Sequence, residues 1–151
     1  MAMNLRRTLR LRSGESVDAE GIMTDRDFQF LIASLLVRIA RSDGTISTAE
    51  TSRMLAITET HFRLSSAEAL ELLTTAVEEA PAQDELETQL RELKDLLDPS
   101  EKEEIAVLML ELIAADGKRE SAELEVLHYA AEVLEISPEC MHSAFERFFK
   151  G

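Results

Sequence analysis

Apolar residues recur along this chain in seven blocks at helical spacing, and polar start and stop signals separate the blocks. In the first, Phe28, Leu31, Ile32, Leu35, Leu36 and Ile39 follow the i, i+3, i+4, i+7 rhythm of a helix with one buried face. Thr24 fits its N-cap, Asp27 its third position and Gly44 its stop. "STAE" opens the second: Ser47 caps and Glu50 reaches back to form a capping box, ahead of Met54, Leu55, Ile57 and Phe62. "SSAE" at 65–68 repeats that signal. The third block then runs through Leu70, Leu72, Leu73, Ala76 and Val77 to the break at Pro81.

The fourth block, over 82–97, has the narrow seam Leu86, Leu90, Leu93, Leu97, as expected of a connector packed across the other helices. "DPSE" at 98–101 predicts a sharp start: Asp98 caps, Pro99 comes first and Glu101 third. The fifth helix should bury Ile105, Leu108, Met109, Leu112 and Ile113 and stop at Gly117. A sixth is expected over 120–135. A seventh, opened by "SPE" at 137–139, ends at "FFK".

The second half repeats the first. A shift of 73 places Asp43, Gly44, Ala49 and Glu50 on Asp116, Gly117, Ala122 and Glu123, with Leu35 on Leu108 and Met54 on Leu127. A shift of 72 aligns "LSSAEA" from Leu64 with "ISPECM" from Ile136. A three-helix unit this small leaves apolar faces uncovered, and two copies can share one core. The expected fold is therefore all-α: a seven-helix bundle of two pseudo-two-fold-related three-helix repeats joined by a connector helix. Repeat one is 24–80, the connector 82–97 and repeat two 98–150, in one domain over 24–151. Residues 1–23 show no sustained period and are expected to form a loosely ordered basic arm.

Composition narrows the function classes. The net charge of −14 is reached although Arg6, Arg7, Arg10 and Arg12 crowd the first twelve residues, so the body is more acidic still. Such a surface repels nucleic-acid phosphates and suits a cation or a basic partner. The lone Cys140 allows no intrachain disulfide and fits a reducing compartment. The longest apolar run, "FLIASLLV", is too short to span a bilayer, and no signal-peptide core precedes it. A cytoplasmic protein is expected, with the arginine-rich arm as its only segment suited to anionic lipid.

"SDGTISTAE" (42–50) and "ADGKRESAE" (115–123) resemble the second half of a calcium-binding EF-hand loop. Spacing excludes that reading. With Asp43 fifth and Glu50 twelfth, the first and third ligand places fall on Ile39 and Arg41, and in the second copy on Leu112 and Ala114. None of these side chains ligates calcium. A tight αα-hairpin accounts for Gly44, Ser47 and Glu50. It leaves Asp43 and Asp116 facing the negative ends of helix dipoles, where a nearby cation, or pairing with Arg41 or Lys118, would offset the penalty. His128 is expected to be a half-buried helix residue and Cys140 a small core residue. "CMH" at 140–142 lacks the partners of a zinc site. No nucleophile–base order or phosphate loop appears, so no enzymatic activity is expected.

"IARSDGTISTAE" and "IAADGKRESAELEVLHYAAEVLEIS" resemble the two halves of a TerB-like domain, the tellurite-resistance B family, over roughly residues 25–149. The resemblance implies an all-helical, internally duplicated cytoplasmic domain without catalytic activity. Related domains occur in tellurite- and stress-resistance systems and beside J-domains. It also implies a divalent cation as the candidate cofactor, held by Asp43 and Glu50 in one copy and Asp116 and Glu123 in the other. In the second copy Lys118, Arg119 and Glu120 replace Thr45, Ile46 and Ser47. The primary expectation is an interaction domain with a basic or amphipathic protein partner, or a second copy of itself, and no nucleic acid. Metal binding is the alternative.

Overall fold

A computed structural model of the chain describes residues 25–42, 44–115 and 121–150. Within them lie seven α-helices and no strand: α1 (Asp25–Ala40), α2 (Thr48–Phe62), α3 (Ser66–Glu78), α4 (Gln83–Lys94), α5 (Pro99–Ile113), α6 (Ser121–Val133) and α7 (Pro138–Lys150). The basic arm, the Thr24 cap and the Gly117 stop lie outside the described residues.

Local chemistry sets most of the boundaries. Ser47, Ser65 and Asp98 each accept the N–H of the glutamate three residues on, and Glu50, Glu68 and Glu101 each accept back from the cap N–H. These reciprocal bonds satisfy donors that a helix start leaves unpaired. Asp98→Ala should therefore cost about 1 kcal/mol, read as a lowered urea midpoint with an unchanged m-value. Gly44 has φ +103°, and a Cβ built there would touch nothing, so backbone conformation rather than space selects glycine. The other two left-handed residues among those described, Arg63 and Glu135, both have φ 56° and end α2 and α6 alike. After each, an amide bonds back five residues: Leu64 N–H to the Glu59 carbonyl and Ile136 N–H to that of Ala131.

Two helices, α1 and α5, occupy the centre. Helix α1 packs on α2, α3, α4, α5 and α6, most extensively on α3; α5 packs on α1, α2, α6 and α7, most extensively on α7. One apolar cluster runs through all seven helices, from Phe28 in α1 to Ala144 in α7. Phe28 and Phe62 meet edge to face in it, ring centroids 5.9 Å apart. The central position corrects one expectation: α1 is buried on nearly all sides, Ala33, Ser34 and Val37 included, rather than along one stripe.

Other departures have local causes. The connector's seam is buried as expected, but α4 ends at Lys94 instead of reaching Leu97. Asp98 must be extended to cap α5, and the residue before a proline is driven out of the helical region. Leu96 and Leu97 close the turn with i to i+3 bonds, and Leu97 stays buried. In α3, Leu73 and Ala76 are buried, whereas Leu70 and Val77 face outward.

Candidate functional site

The acidic residues singled out in the two Asp-Gly loops divide into two groups. Glu50 stands in the first turn of α2, 2 % exposed, and its Oε1 accepts the Ser47 N–H at 2.9 Å. Glu123 stands in the first turn of α6, 1 % exposed. Asp43 and Asp116 lie outside the described residues. Among the described residues no three His, Cys, Asp or Glu side chains gather as a metal site.

The chain on either side of the two loops does converge. Ser42, which precedes Asp43, and Ala122, which precedes Glu123, line one cleft of about 540 Å³. The end of α1 supplies Arg38 and Arg41 to it, the segment before α4 supplies Pro81, and α6 supplies Tyr129. Arg38 Nη2 donates to the Pro81 carbonyl at 2.9 Å. The Tyr129 hydroxyl donates to Glu87 Oε1 at 2.7 Å and ties α6 to α4. Burial and that carboxylate push the phenol upward in pKa, while its hydrogen bond holds Glu87 below the usual carboxylate range. The cleft walls thus carry guanidinium groups beside loops whose sequence carries acids.

A second feature escaped the sequence reading. Three helices pool their charges around His61, which is 5 % exposed. Its Nδ1 lies 2.8 Å from Glu104 Oε2, off the line of a straight hydrogen bond, and its Nε2 lies 3.5 Å from Glu111 Oε1. Glu104 is fully buried, and its Oε1 accepts from Arg147 Nη2 at 2.8 Å. Arg147 Nη1 donates in turn to Glu103 at 2.9 Å. Burial favours the neutral imidazole, but the two facing carboxylates outweigh it and raise the His61 pKa to about 9. Burial likewise opposes the Glu104 charge, and His61 with Arg147 overcomes it, so Glu104 titrates below the usual range. Helical spacing signalled only that each residue is buried, not that they meet: His61 shares a stripe with Met54 and Ile57, and Glu104 one with Ile105 and Leu108.

A third feature is an apolar groove of about 310 Å³ between α6 and α7, lined by Leu124, Leu127, Ile136, Met141 and Phe145. Leu124 and Phe145 are each about two-fifths exposed, and Phe149 stacks on Phe145 at 5.9 Å. His128 borders the groove and is exposed, not half-buried as expected, because it projects from the outer side of α6 beside Glu132. Cys140 is half-buried and packs against the core; its Sγ donates to the Pro99 carbonyl at 3.4 Å. Burial and the Glu103 charge push that thiol up in pKa. His142, two residues on, faces Glu146 at 3.7 Å.

The family model described as Tellurite resistance protein TerB matches residues 29–146, from α1 into α7. No curated protein and no solved structure matches the chain.

Proposed function

Because this chain belongs to the TerB family, a tellurite-resistance-related family, we propose that it is a non-enzymatic cytoplasmic interaction domain serving a stress- or tellurite-resistance assembly. The observation that carries the reading is the groove between α6 and α7, where Leu124 and Phe145, with Phe149 stacked beside Phe145, keep large apolar surfaces in water. Exposed apolar side chains gathered in one patch mark a place for a partner. The net charge of −14 selects the partner's chemistry: an amphipathic segment, apolar residues in the groove and basic residues over its rim at Glu132. Among the described residues no helix is long and apolar enough to cross a membrane.

The architecture is read as an internal duplication. Central helix α1 packs most closely on α3 as α5 does on α7, and left-handed Arg63 and Glu135 close corresponding helices 72 positions apart.

The assembly reading is tested by cross-linking in the native cells, followed by quantitative recovery of bound proteins. Leu124→Ser combined with Phe145→Ser should lower recovery of a specific partner about tenfold or more, the loss of one apolar anchor. Circular dichroism should be unchanged. Equal recovery by both forms removes the groove from the proposal.

A second reading is divalent-cation binding by Asp43, Glu50, Asp116 and Glu123. It draws support from the deep burial of Glu50 and Glu123 and from the meeting of both loop-bearing segments at one cleft. Calorimetric titration with Ca²⁺, Mg²⁺ and Zn²⁺ should give saturable heat with the wild type and none with Asp43→Asn, Asp116→Asn. Equal heats from the two forms would end this reading.

A further inference from the structure

The cleft at the end of α1, where the segments bearing both Asp-Gly loops meet, also carries a cationic chemistry of its own, independent of the apolar groove. Ser34, Arg38 and Arg41 stand at i, i+4 and i+7 and all line it. The Arg38 fork is held at one corner by the Pro81 carbonyl, which leaves its other N–H groups to point elsewhere. Arg41 is exposed and forms no ion pair with any described residue. Ser34 is 4 % exposed, and its buried hydroxyl has no hydrogen-bond partner among the described residues. A hydroxyl in that condition is costly unless something bound supplies the missing bond. Val37, Pro81 and Val126 give the same cleft apolar walls.

These observations select a ligand. A planar guanidinium matches a carboxylate by paired N–H donation. Both arginines also stand at the C-terminal end of α1, where their positive charge offsets the negative end of the helix dipole that would otherwise repel an anion. The −14 charge of the whole chain and Glu125 on the cleft wall work against a dianion such as phosphate, and less against a single negative charge. A volume of about 540 Å³ suits a small molecule or a few residues of peptide. We infer that this cleft binds a monocarboxylate carried on a short apolar body. The carboxylate meets Arg38 and Arg41, and the apolar part lies on Val37 and Val126. The same chemistry occurs in a free short-chain organic acid and at the C-terminus of a peptide ending in an apolar residue.

The test is an amide and guanidinium NMR titration of the full chain with hexanoate, with hexanamide, and with N-acetyl-Ala-Leu as its free acid and as its amide. Saturable shifts at Ser34, Arg38, Arg41 and Val126 with an acid, and not with its amide, are the expected result. Arg41→Gln should weaken the fitted Kd about tenfold, with Arg41→Lys in between. Because Arg41 is exposed, an unchanged amide spectrum elsewhere will show that the variant is folded. Tighter binding of the peptide acid supports a chain terminus as the natural ligand; equal or tighter binding of hexanoate supports a free acid. Absence of saturation with either acid overturns the inference, as do equal affinities for acid and amide or an Arg41→Gln variant that binds like the wild type.

Discussion

Replacing Glu104 with alanine should lower the unfolding free energy by about 3–5 kcal/mol, the loss expected when one partner of a buried ion pair is removed. Glu104 is fully enclosed, and it faces a protonated His61 on one side and Arg147 on the other. Its removal leaves the imidazolium, with a side chain only 7 % exposed, beside a cavity and the more distant Glu111. Arg147, at 38 % exposure, can turn toward water. The greater part of the loss therefore belongs to His61, and Arg147→Ala should be the milder change. Urea unfolding followed by circular dichroism measures both. Glu104→Gln keeps the shape without the charge, and the His61 pKa read by NMR should then fall from about 9. A Glu104→Ala loss below about 1 kcal/mol, the range of exposed pairs, would mean that water reaches the network and screens it.

Stability should also fall as the solution turns alkaline. The His61 pKa rises from an ordinary 6.5 to about 9 on folding. A group raised in this way stabilises the fold fully below its unfolded pKa, and the contribution is lost as pH climbs through the folded value. Between about pH 6.5 and 9 the native chain holds a proton that the unfolded chain releases, so stability declines by ~1.4 kcal/mol per pH unit, about 3 kcal/mol in all. Glu104 contributes at the other end: its lowered pKa gives stability present above the unfolded carboxylate value and lost as acid protonates it. Unfolding free energies of wild type and His61→Gln should be measured from pH 6 to 9. Their difference should shrink toward pH 9, and a constant difference would contradict a protonated His61.

What the chain reveals before folding depends on the reach of each interaction. Ser47 with Glu50, Ser65 with Glu68 and Asp98 with Glu101 act across three residues, so their order along the chain already contains the contact. The leucine seam of α4 was legible for the same reason, since one helix carries all of it. The all-round burial of α1 was not, because Ala33 and Ser34 do not declare which neighbours will cover them. The His61 network was least legible. Its carboxylate and guanidinium partners lie on α5 and α7, and a single histidine on an apolar stripe says nothing of distant charges. Of the acidic set, the capping role of Glu50 could be read locally. The arginines that share a cleft with the ends of both loops could not, since α1 and α6 must first meet to form it.

The position of Arg147 also bears on how the chain is made. Synthesis delivers N-terminal segments first, and Arg147 follows Glu104 by 43 residues. A nascent chain holding the first five helices has the carboxylate and the imidazole but not the guanidinium. On the ribosome, closing α7 over α5 is then the step that admits the last charge and lets the interior seal.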